Sequence, residues 1–187
     1  MHSAPTTPLY LRLTGPAWAD LSEPVRQFHS IADGWRGIGR FTISRGSRLP
    51  ARLLAWLLRL PAAGTEVPTR LEVTPRRDGE RWHRTFGGRP FVTVQREMAG
   101  QVLAEEHGLI EIRFRLEVSD HALCYHQIGT ALRLGPLRVR LPRWLSPQIT
   151  GREWALAGEP GVRAAVRVTV PLVGLLIAYE GSIEKEE

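Results

Sequence analysis

After Pro61 the apolar residues of this chain stop recurring at helical spacing and fall on every second position. The segment "LIEIRFRLEVSD" is the clearest case. Ile110, Ile112, Phe114, Leu116 and Val118 alternate there with Glu111, Arg113, Arg115 and Glu117. Val162, Ala164, Val166, Val168 and Val170 repeat the pattern in "VRAAVRVTVP". Successive side chains of a strand leave on opposite faces, so each such segment has one face for a core and one for water. With "GIGRFTIS" upstream, about ten such segments are present, joined by links as short as "MAGQ", "SDHA" and "GEPG". Links of that length join antiparallel neighbours. So long a meander curls, because closure removes the unpaired edges. The expected fold is therefore α+β and mostly β: a curved sheet or incomplete β-barrel of calycin-like form, with two N-terminal helices covering it.

Residues 1–19, punctuated by Pro5, Pro8 and Pro16, read as a flexible leader to a single globular domain over 20–187. The first helix is expected from Ser22, with Glu23 and Pro24 in its first turn, where a missing N–H costs no hydrogen bond. Its apolar stripe is Leu21, Val25, Phe28 and Ile31 or Ala32, and it stops near Asp33-Gly34. The second helix lies in "SRLPARLLAWLLRLPAAG". At about 100° per residue, Leu49, Leu53, Trp56, Leu57 and Leu60 share one face, and Arg48, Arg52, Ala55 and Arg59 the other. Burying one leucine is worth about 1.5–3 kcal/mol, so the apolar face is expected to cover something. The open sheet is its first candidate. A lid over a pocket, hinged at Pro50 and "PAAG", is the second, and a peripheral anchor on a membrane surface is the third.

Several function classes are set aside by composition. At 187 residues the chain can bury a core unaided, and its one cysteine, Cys124, allows neither an intrachain disulfide nor a thiolate metal cluster. The net charge is +6, but Lys185 is the only lysine and the arginines are spread over nearly every segment. A nucleic-acid partner is not expected, because its recognition needs basic residues converging on one face. The N-terminus has no basic start followed by an apolar run, and "VTVPLVGLLIAY" is too short to span a bilayer, so a cytoplasmic location is expected. His2, His29, His83, His107, His121 and His126 show no metal-ligand spacing. "GWRGIGR" precedes a strand rather than a helix, and no GxSxG elbow occurs. Neither a metal nor another cofactor is expected.

What remains are polar residues on apolar strand faces. In "RWHRTF", Trp82, Arg84 and Phe86 point one way and Arg81, His83 and Thr85 the other. If the first face is internal, Arg84 needs a carboxylate or a bound anion, since an unpaired buried charge is prohibitive. Glu105, Glu153 and Tyr179 are the candidate partners, and His126 is the histidine singled out. If the face is external, Arg84 stacks on Trp82. Cys124 would share a strand face with His126, too far apart for a nucleophile pair, and is read as a buried structural thiol. The candidate ligand-binding set is Trp56, Trp82, Arg84, Phe86, Glu105, His126, Glu153 and Tyr179. No catalytic residue is assigned.

A wider set of motifs carries a family resemblance: "PVRQFH", "RLPAAGTEVP", "GERWHRTFGGRPF", "EEHGLIEIRF", "LPRWLSPQITGREW" and "VTVPLVGLLIAYEGSI". In this order and spacing the chain resembles the bacterial domain of unknown function 4166, from Leu21 to Ile183. That resemblance implies no activity and transfers no functional residue. It does imply a domain found free-standing or C-terminal to saccharopine dehydrogenase-like domains, hence a reductase-like partner. The expected function is a non-enzymatic module holding a small apolar or lipid-like ligand in a barrel cavity. The alternatives are an enzyme acting on an apolar metabolite through cavity carboxylate, histidine or arginine residues, and an accessory domain docking to a reductase.

Overall fold

The alternating segments become eleven strands of a single antiparallel sheet in a computed structural model that describes residues 7–31, 33–156, 158 and 161–186. Strands β1 (Trp35–Arg45), β2 (Gly64–Arg76), β3 (Gly79–Phe86) and β4 (Arg89–Met98) pair in sequence order. They are followed by β5 (Val102–His107), β6 (Ile110–Ser119) and β7 (Ala122–Leu134). The short β8 (Leu137–Arg140) folds back on the end of β7. Then β9 (Gln148–Trp154), β10 (Val162–Val170) and β11 (Gly174–Lys185) complete the meander, with β9 beside β7 and β11 beside β1.

The meander was expected; an incomplete barrel was not what formed. Pairing of β6 with β7 joins the two halves of the sheet, so ten strands close a ring from which β8 projects. Arg113 faces Gly129 and Phe114 faces Gln127, which leaves Ile128 as one extra residue in β7. Such a bulge bends a strand and sharpens its twist, which suits closure. Outside this seam, fully buried Glu111 accepts from Arg96 at 2.7 Å, Arg113 at 2.9 Å and Arg138 at 2.8 Å. The wet face of β6 is thus tied to β4 and β8 by charge.

One end of the barrel is plugged by the N-terminal helices. The segment expected to be a loose leader forms α1 (Leu9–Thr14) and a 3-10 helix (Gly15–Asp20), and Leu9, Tyr10 and Leu13 are buried. Two of its prolines mark helix boundaries: Pro8 precedes α1 and Pro16 sits in the first turn of the 3-10 helix, where no donor is lost. Residues 1–6, Ala32 of the expected stripe and Glu159 and Pro160 of the expected "GEPG" link lie outside the described residues. Helix α2 (Glu23–His29) starts after Ser22, whose N–H donates to the His121 carbonyl at 3.0 Å in the β6–β7 turn. Arg12 anchors α1 to Glu97 at the end of β4.

The expected roof is turned over. Helix α3 (Leu49–Leu57) leaves Leu49, Leu53, Trp56 and Leu57 at 76%, 65%, 73% and 66% exposed, while Ala51 and Ala55 are buried. Leu54 and Leu58 complete its inner side, which lies on β11 and β1. The cause is close approach. A Cβ added to Gly46 would lie 1.8 Å from the Leu175 carbonyl oxygen and 2.9 Å from Ala51 Cβ. Only small side chains fit where the chain crosses so near, and the large ones turn outward. Leu60, just beyond the helix, is the one member of the expected face that is buried.

Candidate functional site

Inward-facing side chains of the ring leave two adjoining chambers. The inner one, about 90 Å³, lies against Phe41, Leu71, Trp82, Arg84, Tyr125 and Glu153. The other, about 120 Å³, lies nearer α3 against Leu58, Leu60, Pro61, Phe91, Ile110 and Ile112. Phe86, Glu105, Phe114, Ile149, Val166 and Tyr179 border both. The volume persists partly because Gly151 faces Tyr125, with an added Cβ only 3.3 Å from the phenol ring.

On β3, Trp82, Arg84 and Phe86 all face this interior. Nη1 of Arg84 donates to Thr93 Oγ1 at 3.0 Å and lies 3.6 Å from Glu105 Oε1, and its guanidinium carbon is 4.8 Å from the centre of the Trp82 ring. Burial alone would weaken the charge on Arg84. Glu105, supported by Tyr179, Tyr10 and Glu153, outweighs burial and holds the arginine pKa above its usual value. The charge is therefore kept inside, with a partner at arm's length rather than in tight contact.

Across the inner chamber, Glu153 Oε2 lies 2.5 Å from Nε2 of fully buried His29. The other ring nitrogen, Nδ1, has no hydrogen-bond partner. The imidazole lies against Tyr10, with ring centres 3.7 Å apart and ring planes tilted by 31°. Tyr10 donates to Gln95 Oε1 at 2.7 Å and accepts from Tyr125 at 3.2 Å. Glu80 accepts from the Trp82 indole N–H at 3.0 Å; burial raises its pKa against the opposing pull of His29, that hydrogen bond and Arg12. All three tyrosines of the chain, Tyr10, Tyr125 and Tyr179, stand in this neighbourhood. Burial pushes Tyr179 up to about 12, with Arg84 opposing and Glu105 and Glu153 assisting, and it pushes Tyr10 and Tyr125 well above their usual value.

Six of the eight residues singled out from sequence therefore meet at one cavity: Trp82, Arg84, Phe86, Glu105, Glu153 and Tyr179. Two do not. Trp56 is on the outer side of α3, for the packing reason given above. His126 is outside the barrel, 2.8 Å from Glu117, because its neighbour Tyr125 takes the inward position. Cys124 lies on the same outer face and is only half-buried, not a core thiol; burial raises its pKa and Arg152 opposes. Sequence reasoning missed His29, Tyr10, Gln95 and Tyr125. The signal for Tyr125 was present, since Leu123 and Tyr125 alternate with Cys124 and His126. His29 follows Val25 and Phe28 at helical spacing, on the stripe that packs against the barrel. Among the described residues, no three His, Cys, Asp or Glu side chains form a group that could hold a metal ion.

With the site in place, comparison with known proteins assigns the fold a family. A family model described as a domain of unknown function, DUF4166, matches residues 21–183. The chain belongs to that family. In this DUF4166 chain the match begins just before α2 and ends within β11, so Tyr10, which joins His29 to Gln95, lies outside it. No curated protein matches the chain. Among solved structures, it is similar to a crystal structure of a protein of unknown function from the DUF3598 family of Nostoc punctiforme PCC 73102. That similarity has 11% identity and a TM-score of 0.43, and covers 82% of this chain and 47% of that one. The DUF4166 chain thus spans about half the length of that protein. No helix among its described residues is long and apolar enough to cross a membrane.

Proposed function

We propose that this chain is a non-enzymatic binding module whose barrel encloses a small, largely apolar ligand. One observation carries the reading: a closed barrel of this size keeps two adjoining chambers instead of filling them with side chains. Ligand sites are mostly apolar with a few convergent polar groups, and these chambers match that composition. Aromatic and aliphatic residues make most of the wall; Arg84 lines the inner chamber, and its partner Glu105 borders both. A ligand hydroxyl beside that pair can accept from Arg84 and donate to Glu105. An anionic head would face Glu105 and Glu153 and be repelled, so the fitting ligand is uncharged and apolar, with one hydrogen-bonding group.

The test is uptake of the neutral fluorophore N-phenyl-1-naphthylamine, alongside native mass spectrometry of protein purified without detergent. Saturable one-to-one binding is expected, lost in Val166→Trp, which fills the shared wall, without loss of the circular dichroism of the strands. Absence of both saturable uptake and any co-purifying molecule overturns the reading.

A second reading, an enzyme acting on an apolar metabolite, is favoured by the His29–Glu153 contact. A carboxylate oriented by a buried imidazole has the form of a proton acceptor. Recovery of a co-purified molecule chemically unchanged after incubation with the protein counts against it. Turnover abolished by Glu153→Gln, with uptake retained, counts for it.

A further inference from the structure

The barrel has two unlike ends. The turns and helices of the plugged end carry none of the exposed large apolar side chains found among the described residues. The opposite end carries most of them. Leu49, Leu53, Trp56 and Leu57 stand out on α3. Leu109 lies in the β5–β6 turn, Leu134 and Leu137 border the β7–β8 turn, and Leu172 in the β10–β11 turn is 89% exposed. All four connections, counting β1–α3–β2, emerge on the same side of an up-and-down barrel.

The charge along α3 and the links beside it has one sign, although Glu66 is exposed where β2 begins. Between Asp33 and Glu66 the chain has no carboxylate, while Arg48, Arg52 and Arg59 are exposed on one flank of the α3 apolar face. Arg89, in the β3–β4 pair at the same end, is exposed as well. None of these four forms an ion pair among the described residues. A leucine and tryptophan face edged by arginines is the pattern of a helix lying in a lipid interface, its apolar side at the acyl boundary and its cations at the phosphates. A second copy of the chain is a poor occupant, since its own arginine edge would meet this one. The leucines on separate turns also project around a rim, which suits insertion into a fluid surface better than a fixed complementary one.

We propose that this end of the barrel docks on an anionic phospholipid surface, with α3 lying in the interface. Directly after α3, Leu58, Leu60 and Pro61 close the chamber on that side, so docking sets the closure of the cavity against a reservoir of apolar molecules. That last step rests on the binding reading above; the docking does not.

The experiment is co-sedimentation with phosphatidylcholine vesicles, with and without phosphatidylglycerol, at low and high salt. Wild type is expected to bind the anionic vesicles, at least tenfold more weakly as salt rises. The double variant Leu53→Glu, Trp56→Glu is expected to lose binding and keep its melting curve, because both positions are exposed. No binding to anionic vesicles overturns the proposal, as does binding unaffected by the double variant. A dimer in solution that the same variant abolishes overturns it in favour of a second copy. Equal binding to neutral vesicles overturns the role of the arginines. Uptake of N-phenyl-1-naphthylamine separates the two readings: the double variant should retain it, and its failure in wild type with vesicle binding intact sinks the container and leaves the dock.

Discussion

Arg84 is the residue on which sequence reasoning gained most, and the reason is local. Two aromatic neighbours at strand spacing left its face either inside the sheet or on its surface; the barrel puts it inside, where a guanidinium needs a carboxylate. Glu105 provides it. Because both side chains are largely buried, removing one partner should cost more than removing both. Arg84→Met alone is expected to destabilise by about 2 kcal/mol in urea denaturation, and Arg84→Met with Glu105→Gln to recover most of that loss. A double variant that costs the sum of Arg84→Met alone and Glu105→Gln alone would show that the pair is not coupled. The tyrosines give a second readout, since all three in the chain are elevated. Between the ordinary value of 10.0 and the raised value of about 12 for Tyr179, the folded protein retains protons that the unfolded chain releases. Stability therefore falls as pH climbs through that interval. Tyrosinate absorbance should stay low near pH 10 and rise together with loss of circular dichroism. Titration at 10 in a folded protein would contradict the buried cluster. The histidines were not legible in this way. His29 and His126 each look like an ordinary residue at the margin of an apolar pattern, and only the ring closure decides that the first sits behind the cavity wall and the second outside.

At the scale of elements, strands were readable and helix orientation was not. A strand's two faces follow from alternation alone, but a helix chooses its face by what it must fit against. In α3 the larger apolar surface loses to the smaller one, because Gly46 and Ala51 let the helix lie close to β11. That inversion is open to measurement. Ala51→Leu should destabilise by about 1–3 kcal/mol through overpacking. Leu53→Ala, on the exposed face, should change stability by no more than about 0.5 kcal/mol. The reverse order would restore α3 as a core cover. α1 was hidden for a related reason: its flanking prolines resemble loop punctuation when they are boundary residues, and six helical positions are too few for periodicity to show.

Taken whole, the molecule is a barrel with one end sealed and the other only latched. The seal is made of buried side chains: Leu9, Tyr10, Leu13, Val25 and Phe28 join the core, and His29 reaches Glu153. The latch is slight. Residues 58–61 cross the other end, Leu60 is buried, and His107, stacked on Phe91, brings Nε2 to 3.3 Å from the Leu58 carbonyl oxygen. Its Nδ1 faces the Val92 carbonyl oxygen at 2.9 Å. Segments with few buried contacts open locally at low cost, without unfolding the rest. Hydrogen exchange at the amides of Leu58–Leu60 should therefore run faster than at those of α2, although Leu58 and Leu60 donate to Leu54 and Ala55 at 2.9 Å each. His107→Phe keeps an aromatic ring beside Phe91 and removes the ring N–H that bridges Val92 and Leu58, along with both polar contacts. With one hydrogen bond worth about 0.5–1.5 kcal/mol, exchange at Leu58–Leu60 should quicken roughly 2- to 10-fold while α1 and α2 stay as they were. If exchange quickens equally at both ends, the barrel breathes as one body, and the asymmetry that gives the cavity a door is absent.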